Sequence, residues 1–96
     1  MSIQGFARKP VEDFFLTGRT HRREGWASAA SVVRRKLDMI DYAGKLNDLS
    51  SPPGNRLEAL RGDLKGFHSI RINDQWRIVF RWTPDGPTEV DIRDYH

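Results

Sequence analysis

An α+β fold, a small antiparallel sheet packed on two helices, is predicted by three features of this chain. Residues 67–82, FHSIRINDQWRIVFRW, read as two strands joined by the tight turn Asn73-Asp74, with face-to-face alternation along the second. An apolar stripe at helical spacing runs through residues 27–47, and the breaker cluster LSSPPGN at 49–55 separates that half from the strands. The expected order is one strand, two helices, then a three-strand meander. All of it lies in one domain over residues 1–96, since a chain this short holds a single modest core.

Taken in order, Ser2 to Ala7 (SIQGFA) is read as the first strand, with Ile3 and Phe6 its large apolar residues. Pro10 suits the opening of a helix, Glu12 and Asp13 favour its positive end, and Thr17-Gly18 stops it. The segment Gly18 to Gly25 (GRTHRREG) is either a solvated loop or an electropositive rim for phosphates. Ala29, Val33, Leu37, Ile40, Ala43 and Leu46 then form one buried stripe of a helix from Ala27 to Asn47, with Ser28 as its N-cap. Arg34, Arg35 and Lys36 read as the wet face of that helix.

Beyond the breaker cluster, Leu57 and Leu60 point inwards while Arg56, Arg61 and Lys65 stay wet, a polar loop of the functional kind. The hairpin follows. The turn Thr83 to Pro87 leads into a last strand, Thr88 to Tyr95, with Val90 and Ile92 inward and Glu89, Asp91 and Arg93 outward.

Sixteen Lys+Arg against thirteen Asp+Glu give a net charge of +3, and arginine dominates the excess. Arginine recognises phosphate through planar, bidentate hydrogen bonds, so a nucleic-acid partner is favoured. With no cysteine, disulfides and thiolate metal sites are excluded. His21, His68 and His96 lack paired-ligand spacing, so no metal or other cofactor is expected. No apolar run approaches the ~20 residues needed to span a bilayer. The N-terminal residues lack a signal-peptide core, so a cytoplasmic protein without a membrane partner is expected.

Alternation along Trp76 to Trp82 puts Trp76, Ile78, Phe80 and Trp82 on one face of the sheet, and Arg77, Val79 and Arg81 on the other. A sheet that is apolar behind and cationic in front is built to meet an anion. The last strand is acidic by contrast, which pairs Arg81 with Glu89 or Asp91. At its end Asp94, Tyr95 and His96 bring together three groups capable of proton transfer or hydrogen bonding, and histidine titrates near neutrality.

RLEALRGDLKGFHSIRI, the NDQWRI-F core of the hairpin and the closing V-I-DYH together resemble the HigB branch of the RelE/ParE toxin superfamily. The resemblance covers most of the second half, and the helical half fits in layout. It implies a toxin of a type II toxin–antitoxin system: a ribosome-dependent mRNA endonuclease (an mRNA interferase) that inhibits translation. Its partners would be the ribosome and mRNA, and a HigA-like helix-turn-helix antitoxin encoded beside it, with operator DNA met only through that antitoxin. Carried over by position, the hairpin arginine is Arg77 and the terminal catalytic group is Asp94, Tyr95 and His96. Where relatives can place a loop histidine, this chain has Glu58, a carboxylate able to act as base but anionic beside a phosphate. His68 is a second departure, where relatives can carry a different aromatic residue.

The chemistry expected is metal-independent attack by the RNA 2′-hydroxyl, with Arg77 on the phosphorane and the terminal residues handling protons. Arg56, Arg61, Lys65 and Arg71 are either RNA-backbone contacts or ordinary surface charges. Two other readings use the same fold: a non-catalytic ParE-like inhibitor of a protein such as DNA gyrase, and a degenerate toxin kept as an RNA-binding or co-repressor partner of its antitoxin.

Overall fold

The computed structural model describes residues 2–94. Helix α1 (Lys9–Thr17) opens with Pro10 in its first turn and closes on Gly18, whose φ of 78° lets its N–H reach the Phe14 carbonyl at 2.8 Å. A 3₁₀ turn (Gly25–Ala29) leads into α2 (Ala30–Tyr42). Ala29 rather than Ser28 holds the N-cap position, and no side chain caps it. The helix also ends before residue 47. Asp48 accepts hydrogen bonds from the Gly44 and Lys45 amides at 2.9 and 3.2 Å, a local alternative that competes with continuing the helix. Short 3₁₀ turns at Leu46–Ser50, Pro53–Asn55 and Gly62–Leu64 carry the chain on.

The sheet is antiparallel throughout, in the order β1 (Glu58–Ala59), β2 (Phe67–Arg71), β3 (Trp76–Thr83), β4 (Gly86–Asp94). Its hairpin turn is fixed by Asn73 Oδ1, which accepts from the Gln75 and Trp76 amides, both at 2.9 Å. Residues 2–7 take the place expected of a first strand without becoming one. They run parallel to β4, bridged at Phe6 and Val90, with Ala7 N–H on the Val90 carbonyl and Val90 N–H on the Gly5 carbonyl. Gln4 N–H also reaches the Pro87 carbonyl at 2.7 Å, but no continuous ladder forms: Pro87 has no N–H to return, and β4 bulges at Glu89 (φ 52°). The fourth strand comes instead from the loop, as β1.

One sheet face meets the helices. Ile70, Ile78, Phe80, Val90 and Ile92 pack with Val11 and Phe14 of α1, Val33, Leu37 and Ile40 of α2, and Trp26. Phe14 and Trp26 meet edge to face at 5.1 Å between centroids, and the indole N–H donates to Glu24 at 2.9 Å. Arg8 ties the sheet edge to this layer through Asp91 at 2.7 Å and Glu24 at 3.0 Å. Among the described residues, no helix is long and apolar enough to cross a membrane.

Candidate functional site

Arg77 lies on the face away from the helices, as alternation predicted, but it is not open to water. Its exposure is 5%, because the loop 56–64 and β1 fold over this side of the sheet. The guanidinium is held from two directions: Nη2 donates to the Arg56 carbonyl at 2.7 Å, and Nη1 lies 3.4 Å from Glu58 Oε1. Arg56 itself adopts φ 47° and ψ 56°, a left-handed conformation costing a non-glycine residue roughly 1–3 kcal/mol.

The loop that places Arg56 is anchored from below by a residue read as solvated. Lys36 is buried, and its ammonium donates to Asn55 Oδ1 at 2.6 Å. Asn55, fully buried, donates in turn to the Leu49 and Ser51 carbonyls at 3.2 and 3.3 Å. Burial, with Arg35 and Arg71 adding to it, pushes the Lys36 amine below its ordinary pKa. Arg34 and Arg35 are exposed, so the wet-face reading holds for two of the three charges.

Register brings a third arginine to Arg77. Arg71 of β2, Arg77 of β3 and Arg93 of β4 are direct cross-strand partners, so their side chains leave the same face in one row. Like charges opposite one another are unfavourable unless something anionic answers them. Asp74 answers Arg71 and Glu58 answers Arg77. Arg93 is exposed and has no ion pair or hydrogen-bond partner among the described residues.

Arg77 is the shared wall of two hollows. A larger one of about 300 Å³ is lined by Leu60, Leu64, Ser69, Val79, Arg93 and Asp94 as well. A smaller one of about 110 Å³ is formed with Arg56, Arg71, Asn73 and Asp74. Glu58 stands beside them through its pair with Arg77, and Asp94 closes the end of β4, where Gln75 donates to it at 3.0 Å. Of the expected residues, Arg56, Glu58, Arg71, Arg77 and Asp94 therefore gather in one place. Arg61 and Lys65 are exposed on the loop and line neither hollow, and Tyr95 and His96 lie outside the described residues.

Arg93 was missed because the sequence offers it only as one outward residue of an acidic strand. The signal was present in part, since Arg71 and Arg77 sit symmetrically about Asp74. The pairing of Arg77 with Arg93 also depends on the bulge in β4, which no periodicity reveals.

Helices on one side of a four-strand antiparallel sheet, and on the other a held arginine between two hollows, define the class as a small α+β protein with an arginine-lined sheet face. The fold matches that of a chain in the YoeB-YefM complex from Staphylococcus aureus with a TM-score of 0.61, at 21% identity over 100% of this chain and 97% of that one. The family described as the RelE-like toxin of type II toxin–antitoxin system HigB matches residues 4–96. "Toxin HigB-1" of Vibrio cholerae serotype O1 is 43% identical over 91 residues, 95% of this chain and 94% of the relative. "Endoribonuclease HigB" of Proteus vulgaris is 28% identical over 94 residues, 98% and 99% of the two chains. This chain belongs to the HigB-like toxin family of type II toxin–antitoxin systems.

Proposed function

We propose that the protein is a ribosome-dependent mRNA endonuclease whose toxicity is restrained by a HigA-like helix-turn-helix antitoxin. The observation that carries this reading is the buried Arg77 guanidinium, fixed by the Arg56 carbonyl and Glu58, in the wall between two hollows that also contain Arg71, Arg93 and Asp94. A guanidinium locked before substrate arrives stabilises developing phosphorane charge without reorganising. The relative named for endoribonuclease activity supports the same chemistry.

In this mechanism the ribose 2′-oxygen attacks the adjacent phosphorus in line while the bond to the 5′-oxygen breaks. A base takes the 2′-hydroxyl proton and an acid gives one to the departing 5′-oxygen, leaving a cyclic 2′,3′-phosphate and a 5′-hydroxyl. Arg77 carries the phosphorane charge. Asp94, with Tyr95 and His96 following it, handles or orients the protons, and Glu58 is a second carboxylate beside Arg77. No step requires a metal.

Glu58 also favours a second reading. Its carboxylate competes with a phosphate for Arg77, as in a protein that binds RNA without cutting it. Primer extension on cellular mRNA after induced expression separates the readings. New 5′ ends within translated regions, lost when the start codon is removed, are expected of the nuclease. Intact mRNA would leave the RNA-binding reading, and intact mRNA with DNA damage would point to a gyrase-type target.

A further inference from the structure

We infer that the bound RNA strand crosses the sheet at right angles to its strands, and that Arg93 holds the phosphate next to the scissile one. This rests on the endoribonuclease reading and deepens it by setting the path of the substrate. Two directions are open to a polyanion leaving Arg77. Along the strands the next row of the same face is Glu58, Ser69, Val79 and Asp91, which contributes no cation of its own; its two carboxylates are paired with Arg77 and Arg8. Across the strands the row is Arg71, Arg77 and Arg93. Neighbouring strands lie about 4.8 Å apart, so the outer two arginines stand roughly 10 Å from each other at the backbone. Flexible guanidinium arms on that baseline reach consecutive phosphates of an extended single strand.

The hollows flanking Arg77 differ in a way that fits this path. The one shared with Arg93 has apolar walls in Leu60, Leu64 and Val79 and suits a base. The one shared with Arg56 and Arg71 is smaller and polar. Arg81, the remaining cation of this face, is already engaged: Nε lies 3.0 Å from Glu89, and the guanidinium lies 4.6 Å from the centre of the Phe67 ring. Arg93 is the exposed member of the row, and no carboxylate among the described residues answers it. Its position makes it a positioning residue for the substrate rather than a participant in bond breaking.

The test is binding of a short single-stranded RNA, 2′-O-methylated so that it cannot be cut, to the purified protein between roughly 50 and 200 mM salt. Arg93→Ala should weaken binding about fivefold and reduce the slope of log affinity on log salt by about 0.7, one phosphate contact on a single strand. Arg93→Lys should keep the slope, and Arg81→Ala should match the wild type. Wild-type slope in Arg93→Ala, a larger loss in Arg81→Ala, or no salt-dependent RNA binding by the wild type would each overturn the inference. So would loss of antitoxin affinity in Arg93→Ala with RNA binding intact, which would assign the row to a protein partner. The primer-extension result is independent of these. A chain that cuts mRNA with Arg93 silent loses only the path, whereas one that binds RNA through Arg93 without cutting keeps the path and loses the nuclease.

Discussion

On the helix side of the sheet, Ile70, Ile78, Phe80, Val90 and Ile92 are buried among aliphatic and aromatic neighbours, and each contact there adds to stability. On the other side, the same strands carry three arginines in one row and a strained Arg56 above them. The helix face buries its aliphatic and aromatic residues as their apolar character prefers. The arginine face works against several preferences of its residues, with like charges opposed, a guanidinium buried and a non-glycine residue at positive φ. Local conflict of this kind persists where the surrounding fold enforces it and function uses it. The difference teaches that the apolar core and the arginine row lie on opposite faces of one sheet, and the proposed chemistry belongs to the second of them.

If the faces divide the labour in this way, substitutions on them should have opposite signatures. Phe80→Ala, at a fully buried position, should cost about 3–5 kcal/mol in urea unfolding and abolish cleavage only by unfolding the protein. Lys36→Met tests the support beneath the arginine face. It strands the buried Asn55 oxygen, so a loss of about 1–3 kcal/mol is expected. Because the folded-state pKa of Lys36 lies below its unfolded value, the unfolded chain binds more protons between the two. Wild-type stability should therefore rise, relative to Lys36→Met, as pH climbs through the folded pKa towards 10.5. A parallel pair of pH profiles would show that the amine is not desolvated.

Smaller effects sharpen the arginine face itself. Glu58→His introduces the residue type that the family resemblance implies here and removes the carboxylate paired with Arg77. Ribosome-dependent cleavage should rise several-fold, with stability changed by less than about 1 kcal/mol. A fall in rate would identify Glu58 as the working base. Arg81→Ala removes an exposed pair with Glu89 and should change stability by about 0–1 kcal/mol and cleavage by no more than about twofold.

The division between faces also marks what could be read from the sequence. The apolar stripe of α2, the hairpin and the alternation along β3 were legible because each depends on residues close in the chain. So was the placing of Arg77 away from the helices. The burial of Arg77 was not, since it depends on a two-residue strand that exists only by pairing with β2. Lys36 stands in a charge run that looks solvated, and only the fold of residues 49–55 over its end makes it a buried anchor. Arg93 joins Arg77 through a register set by a bulge at Glu89. Shifting a strand by one residue exchanges its faces, and nothing in the local pattern specifies where that shift falls.

The most direct measurement is the rate of mRNA cleavage on purified translating ribosomes by Arg77→Ala beside the wild type, with circular dichroism confirming the fold of both. A preorganised guanidinium on the phosphorane predicts a loss of roughly 100-fold or more with a native spectrum. Equal rates from a folded Arg77→Ala protein would contradict the account, because the residue at the centre of the site would then contribute nothing to the reaction.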